Sequence, residues 1–166
     1  AAPGVYQTIT VGTSYWSQSK EFSVTGTTLK VHGTFYEFDC SYNREKITAL
    51  DISKNTALTE LDCSGNQLSA LDISNNTKLT WLNVGQCELT ALDASQNKAL
   101  TFLSCYSNRL TALDVSHNIA LIGLSCRSNQ LTALDLSQNT ALTKLWSYDN
   151  NFSTAALDDI SRILSR

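Results

Sequence analysis

Carboxylates, thiols and imidazoles are the side chains of this sequence that could bind a metal or take part in catalysis. Aspartates recur every 21 residues, each with a serine two residues later, at Asp51, Asp72, Asp93, Asp114 and Asp135. Cysteines occupy one equivalent position in several of the same segments, at Cys40, Cys63, Cys105 and Cys126. Stacked carboxylates are a potential Ca²⁺ site, and neighbouring thiols are a potential metal or disulfide site. Which of these chemistries is possible depends on the elements that place the side chains.

The remaining polar residues offer little for catalysis. His32 and His117 have neither a nucleophile motif nor metal-ligand spacing near them. Two neighbouring segments carry paired carboxylates, at Glu37, Asp39, Glu60 and Asp62. On an open sheet these groups would be solvated, with no pocket to raise a pKa. We therefore predict no catalytic residue, no metal site, no cofactor and no enzymatic activity.

A 21-residue repeat organises these residues. Five copies follow one another without insertion or deletion, over residues 47–67, 68–88, 89–109, 110–130 and 131–151. The first copy reads ITALDISKNTALTELDCSGNQ, and a degenerate earlier unit starts at Phe35 and carries two extra residues before Ile47. A unit of this length cannot bury its own apolar side, so the stacked units must share a continuous core.

The second half of each copy, read into the next copy, has the pattern L-x-x-L-x-C-x-x-N-x-L. It resembles the leucine-rich-repeat signature L-x-x-L-x-L-x-x-N/C-x-L, and the resemblance extends from Phe35 to Phe152. The LTALDxSxN half is similar to the short repeats of bacterial surface proteins of the internalin-like kind. The resemblance implies a mostly β, right-handed solenoid with a parallel β-sheet on its concave face.

We predict that the chain has three parts. Residues 1–34 form a β N-terminal cap, whose β-type runs at 5–11, 21–25 and 28–31 add to the end of the sheet. Residues 35–152 form the repeats. Residues 153–166 form a C-terminal cap helix with Ser153 or Thr154 as N-cap, because apolar residues fall on one helical face at Ala156, Leu157, Ile160, Ile163 and Leu164. A membrane-binding or partner-binding role is the alternative for this helix.

The repeated columns predict the framework of the solenoid. Inward positions in the first copy are Leu58, Leu61, Cys63 and Leu68, and an asparagine column should satisfy backbone groups at Asn43, Asn66, Asn108, Asn129 and Asn150. Packing is favoured for the cysteines, with metal binding or redox chemistry as the alternatives. The Asp–Ser pairs are expected to bond the following turn rather than Ca²⁺, because the glycine-rich loops of calcium-binding β-rolls are missing. The LTALD segments should form a second, shorter extended face on the convex side.

The outward positions of the concave strands vary between copies, whereas the framework positions hardly change. Counted from the first leucine of L-x-x-L-x-C-x-x-N, these are the third, fifth, seventh and eighth positions of the repeat. The early copies place acidic side chains there. The later copies place aromatic and cationic side chains there, and we predict that they bind the ligand: Trp81, Phe102, Tyr106, Arg127, Lys144, Trp146 and Tyr148. The alternative is that some of these rings pack on the caps or on each other.

Composition and charge narrow the choice of function. Hydrophobic residues make up 42% of the chain and charged residues 16%, which is typical of a folded domain. A formal net charge of -3 argues against nucleic acid and anionic membranes as partners. No apolar run is long enough for membrane insertion. The chain has no Met, even at position 1, so we expect a processed or excised form.

We therefore predict a macromolecule-binding domain, for protein–protein interaction or adhesion, with its ligand on the concave face. The resemblance implies an extracellular or cell-surface location in a bacterium, and a protein partner such as a host or matrix protein. A glycan is the alternative ligand, since Trp and Tyr also stack on sugar rings. An architectural spacer or assembly domain of a larger surface protein is the alternative function.

Overall fold

Each 21-residue copy forms one coil of a parallel β solenoid in the computed structural model, which describes residues 6–10, 28–43 and 47–165. The strands along these residues are β1 (Tyr6–Thr10), β2 (Thr28–His32), β3 (Glu37–Asp39), β4 (Ala49–Asp51), β5 (Glu60–Asp62), β6 (Trp81–Asn83), β7 (Phe102–Ser104), β8 (Gly123–Ser125) and β9 (Lys144–Trp146). Helix α1 (Thr154–Leu164) follows the last strand. The predicted mostly β solenoid, with a parallel concave sheet and a C-terminal helix, is confirmed.

The concave sheet is parallel and has six strands in the order β3-β5-β6-β7-β8-β9. Neighbouring strands pair one coil apart, as in Leu61 with Leu82 and Leu82 with Leu103. The middle residue of these strands points into the core, and Leu61, Leu82 and Leu103 are each 0% exposed. Because side chains alternate along a strand, the third and fifth repeat positions lie on the concave surface.

The two described N-terminal strands belong to a second sheet. β1, β2 and β4 form a three-stranded parallel sheet, in which Leu29 pairs with Leu50. The sequence predicted that N-terminal strands extend the end of the concave sheet, whereas β1 and β2 instead continue the half-coil that contains β4. The predicted β-type run at 21–25 lies outside the described residues. The boundaries of the three predicted parts stay predictions.

The predicted second extended face is a hydrogen-bonded strand in the first copy, where β4 lies beside β2. In the later described copies the equivalent segments form no strand. Neighbouring coils are instead joined there by backbone hydrogen bonds such as Arg109 N to Leu89 O, 2.9 Å, and Gln130 N to Leu110 O, 2.8 Å. β4 has β2 beside it, whereas the later segments have no partner strand among the described residues, so only β4 forms a ladder.

The predicted asparagine column is confirmed at four of its five members, at the bend after the concave strands, and the role of Asn43 stays a prediction. Asn66 donates from Nδ2 to the carbonyls of Cys40 and Cys63, both at 2.9 Å, and its Oδ1 accepts from Ile47 N at 3.1 Å. The same bonds recur in later coils at Asn108, Asn129 and Asn150. Each amide therefore joins its own coil to the preceding one.

A second asparagine ladder, which the sequence analysis did not assign, lies in the other half of each coil. Its members are all buried: Asn55, Asn76, Asn97, Asn118 and Asn139. Asn97 donates from Nδ2 to Ile73 O at 3.0 Å and to Asn76 O at 2.9 Å. These bonds satisfy carbonyls of the coil before, so both halves of the solenoid are held by side-chain amides.

Helix α1 packs on the last coil. Ser153 caps it, since its Oγ accepts a hydrogen bond from Ala156 N at 3.2 Å. Ile160 is 5% exposed and belongs to the core, and Ile163 packs against the core. The described residues hold no helix that is both long enough and apolar enough to cross a membrane. Ile160 and Ile163 thus join α1 to the core, and its role as a lid on the solenoid end stays a prediction.

Candidate functional site

The Asp–Ser pairs on the convex side form local backbone turns. In each of the five pairs, the serine N–H donates to the aspartate Oδ1, as from Ser74 to Asp72 at 2.9 Å and from Ser116 to Asp114 at 2.8 Å. Hydrogen bonds from serine lower the carboxyl pKa of Asp72, Asp93, Asp114 and Asp135. The interpretation as turn-forming hydrogen bonds is confirmed.

The cysteines are core residues. All five lie in the described part of the chain, and none of them forms a disulfide. Cys63, Cys105 and Cys126 are 0% exposed, and burial raises their pKa values, that of Cys126 to about 12. Because the thiolate is the reactive form, these thiols are inert at neutral pH. Among the described residues, no group of three or more His, Cys, Asp or Glu side chains is arranged to hold a metal ion.

Two aromatic side chains stack against each other on the middle of the concave sheet. Trp81 and Phe102 occupy the third position of adjacent strands, and their rings stack with centroids 5.8 Å apart and planes 11° apart. On its other side, Phe102 covers Gly123, where a Cβ atom would lie 2.8 Å from Phe102 Cδ2. The absence of a side chain at Gly123 therefore lets the Phe102 ring rest against the neighbouring strand.

Arg127 lies between two tyrosines at the seventh repeat position. Its guanidinium carbon is 4.5 Å from the centroid of the Tyr106 ring and 5.6 Å from that of the Tyr148 ring. Tyr106 in turn lies over Gly85, where a Cβ atom would overlap the tyrosine ring. Cation–π contacts of this kind hold the side chains in place on the surface. The tyrosines and Arg127 thus form a row that crosses three coils.

A depression of about 440 Å³ opens beside this row. Side chains from three coils line it: Phe102, Ser104, Tyr106, Ser125, Arg127, Trp146 and Tyr148. Ser104 and Ser125 are 6% and 7% exposed, so they form its floor. Trp146 is 39% exposed and pairs with Ser125 across β8 and β9, so its indole forms part of the wall. Aromatic walls around a polar floor are typical of a binding site.

Tyr42 and Gln86 extend the site, and the sequence analysis did not include them among the ligand-binding residues. Tyr42 hydrogen-bonds Gln86 Oε1, and its hydroxyl lies 3.1 Å from that of Tyr106. Burial, followed by this hydrogen bond, raises the pKa of Tyr106 to about 12. Both residues occupy the eighth repeat position, where the backbone is left-handed, with φ of 47° at Tyr42 and 52° at Gln86. Their variation at an outward position of the repeat was the signal in the sequence.

The acidic end of the concave face is partly structural. Asp39 Oδ1 accepts from Ser41 N at 2.8 Å, and Asp62 Oδ1 accepts from Ser64 N at 2.9 Å. These fifth-position carboxylates therefore shape the turn after their own strand, as the convex aspartates do. Glu37 and Glu60, at the third position, are exposed.

The structure brings most of the predicted site residues together. Five of the seven line the depression, namely Phe102, Tyr106, Arg127, Trp146 and Tyr148. Trp81 adjoins them by stacking on Phe102. Lys144 is exposed at the start of β9, beside Gly123, and does not line the depression. That these residues bind a ligand stays a prediction.

The fold has well-matched neighbours among solved structures. The functional domain of InlJ from Listeria monocytogenes, described as including a cysteine ladder, is 38% identical, with a TM-score of 0.67 over 69% of this chain. A leucine-rich-repeat protein of Leptospira interrogans is 18% identical, with a TM-score of 0.60 over 78% of this chain. The internalin InlF of Listeria monocytogenes is 20% identical, with a TM-score of 0.57 over 81% of this chain.

The chain spans only part of these neighbours: 25% of the InlJ chain, 47% of the Leptospira chain and 52% of the InlF chain. The two less similar ones support the fold alone. No family model matches the sequence, and no curated protein matches it. The cysteine ladder of the InlJ domain has a parallel in the buried series Cys63, Cys105 and Cys126.

Proposed function

Because the chain is a leucine-rich-repeat protein with internalin-type structural neighbours, we propose that it is a protein-binding domain whose partner contacts the concave sheet. Fold alone does not establish a function, so the proposal depends on the surface. The observation that carries it is the ordered aromatic and arginine cluster on β6 to β9. Rings and guanidinium groups are the side chains that dominate binding energy at protein interfaces.

The cluster is arranged before any partner arrives. Trp81 is stacked on Phe102, and Arg127 lies between Tyr106 and Tyr148. Ordering flexible side chains is one of the main costs of association, and here contacts within the surface have already restricted them. A surface with rigid rings around a shallow depression is suited to a partner that inserts one or two side chains.

The finer parts of the proposal concern where the domain acts. Internalin-type neighbours favour a secreted or cell-surface protein of a bacterium. An extracellular host or matrix protein is then the partner that we propose, with adhesion as the role. Binding is proposed in place of catalysis because the concave cluster consists of rings, hydroxyls and a stacked guanidinium. A spacer or assembly role for the solenoid is the competing proposal.

The test is a binding screen of the purified chain against extracellular-matrix proteins, with a glycan array in parallel. The triple variant Trp81→Ala, Phe102→Ala, Tyr106→Ala should lose binding while it unfolds only about 1 to 2 kcal/mol more easily, since it loses ring stacking. The matched control is Thr90→Ala, Thr111→Ala, Thr132→Ala, at exposed convex positions 21 residues apart.

Each outcome of the screen decides between the proposals. A protein partner lost in the concave variant and kept in the convex control supports the proposed function. A partner that binds the folded concave variant as well as the parent chain contradicts the proposed surface. A screen without any protein partner at micromolar concentration supports the spacer or assembly role, and a hit only on the glycan array identifies a sugar ligand.

A further inference from the structure

We infer that the depression beside Arg127 receives a carboxylate side chain of the partner, an aspartate or a glutamate with an apolar residue next to it. The inference rests on the proposed function and narrows the chemistry of its ligand.

Arg127 has its hydrogen-bonding capacity available. Within the described residues its guanidinium makes no ion pair, whereas Arg109 pairs with Glu88 at 3.2 Å and Arg162 pairs with Asp159 at 2.8 Å. Its contacts are with ring faces, at 4.5 Å and 5.6 Å from the two tyrosine centroids. These contacts hold the guanidinium between the rings without using its N–H groups in an ion pair. A planar fork of N–H donors matches a carboxylate with two parallel hydrogen bonds.

The floor of the depression supplies two further donors. In the earlier coils, the fifth-position side chains Asp39, Asp62 and Asn83 accept a hydrogen bond from the backbone N–H two residues later. Their counterparts Ser104 and Ser125 have hydroxyls that make no hydrogen bond within the described part of the chain. Neither hydroxyl oxygen is fully buried, so both can be reached from the depression. An inserted carboxylate would accept from them.

The aromatic walls of the depression favour an apolar group next to the partner's carboxylate. Phe102 and Trp146 flank the serine floor, and the volume of about 440 Å³ exceeds that of one carboxylate. A free anion would leave these rings uncovered. A partner segment with an acidic residue beside an aromatic or aliphatic residue covers both kinds of surface, which makes a protein segment the better fit than a simple ion.

The charge distribution on the concave face also favours an acidic partner. Outward acids lie at the other end, on β3 and β5, while Arg127 and Lys144 lie on the coils of β8 and β9. The carboxylate of Asp149, on the last coil, accepts a hydrogen bond from Ser128 Oγ at 3.3 Å and makes no ion pair with Arg127. A chain with a net charge of -3 therefore has a locally positive end at the depression, which attracts acidic side chains.

The test uses two peptides, acetyl-Gly-Glu-Phe-Gly-amide and its Gln counterpart, added to the ¹⁵N-labelled full chain. We expect the Glu peptide to shift the indole N–H signal of Trp146 and to bind about tenfold more tightly than the Gln peptide, because it alone accepts charge-assisted hydrogen bonds. Arg127→Lys and Arg127→Gln should each remove most of this preference. Lys98→Gln, which removes the same charge from an exposed convex turn, should preserve it.

Several results would overturn the inference. Equal binding of the two peptides, or an unchanged preference in Arg127→Gln, shows that Arg127 does not receive a carboxylate. Glucuronate that binds where the Glu peptide does not assigns the site to an acidic sugar instead. A protein partner that is lost in the concave triple variant but binds Arg127→Gln normally leaves the proposed function intact and rejects the carboxylate site alone.

Discussion

On the convex side, all five aspartates at the repeat spacing accept a hydrogen bond from the N–H two residues later. On the concave side, only the earlier coils do the same, through Asp39, Asp62 and Asn83. From Ser104 onward, the fifth-position side chains no longer accept this hydrogen bond. The aromatic rings, the serine hydroxyls and Arg127 come together on these later coils. The convex side is thus the same in every coil, whereas the concave side changes along the solenoid.

The difference shows where the fold constrains the sequence. Side chains that bond the neighbouring coil recur between copies, as the second asparagine ladder does in all five, because each interface between coils contributes to the stability of the whole stack. A side chain outside those bonds is free to vary. The comparison therefore predicts that framework substitutions reduce stability without changing recognition, and that concave substitutions do the reverse.

The largest effect should come from the second asparagine ladder. Asn97→Ala leaves the carbonyls of Ile73 and Asn76 without their side-chain donor in the buried half-coil. Both carbonyls keep a backbone donor, Asn76 N for Ile73 O and Leu79 N for Asn76 O. Since each lost hydrogen bond contributes about 0.5 to 1.5 kcal/mol net, we expect the free energy of unfolding to fall by about 2 kcal/mol in urea titrations. Native binding at low temperature should stay unchanged.

The neighbouring Gln96→Ala is the matched control for Asn97→Ala. Gln96 is exposed, and its amide contacts only the adjacent Ser95 hydroxyl at 3.3 Å. Its removal should change stability by less than about 0.5 kcal/mol. If the two variants lose similar free energies of unfolding, the ladder contributes no more than a surface residue. The contrast between framework and concave positions would then fail.

Much of the fold followed from periodicity, as the concave strands illustrate. A strict 21-residue repeat sets which residues pair, so Leu61 had to lie beside Leu82 once the coils were stacked. The convex LTALD segments were predicted less well, because a strand needs a partner strand and only β4 has one. The role of Asn97 and its counterparts was missed because an amide in a turn-like LDxSxN segment does not reveal which coil it bonds.

The candidate site could be predicted as a set of residues but not as an arrangement. Variation between copies marked Phe102, Tyr106 and Arg127 as outward residues. That Phe102 rests on Gly123, and that Tyr42 reaches Tyr106 across two coils, depends on side-chain rotamers. Tyr42 also lies in the degenerate unit, where the repeat register is interrupted after Asn43.

A smaller effect should follow from filling the space under Tyr106. Gly85→Ala places a Cβ atom where the ring lies, so the ring must swing away and lose its contact with Arg127. We expect a loss of about 1 kcal/mol in thermal unfolding, which is at the low end for overpacking because a surface ring can move. The preference for the Glu peptide should fall severalfold.

A double-mutant cycle sharpens this prediction. In a Tyr106→Ala background the ring is gone, so Gly85→Ala should cost no stability and should even stabilise the turn after β6 slightly. If Gly85→Ala is equally harmful in both backgrounds, the cause lies in the backbone at Gly85 and not in the ring above it. The side chains of the concave surface would then depend on one another less than their contacts indicate.

The smallest effect should come from a place where one copy departs from the framework. Thr80 and Thr101 donate from Oγ1 to the carbonyl one coil earlier, at 3.2 Å and 3.0 Å, but the next member of this series is Ile122, which is 48% exposed. Ile122→Thr should restore the bond to Thr101 O and raise the free energy of unfolding by about 0.5 to 1 kcal/mol. Thr101→Ile, the reverse change one coil earlier, should lower it by a similar amount.

Since Ile122 directly precedes β8, a loss of partner binding in the stabilised Ile122→Thr variant would extend the recognition surface from the concave sheet onto its edge.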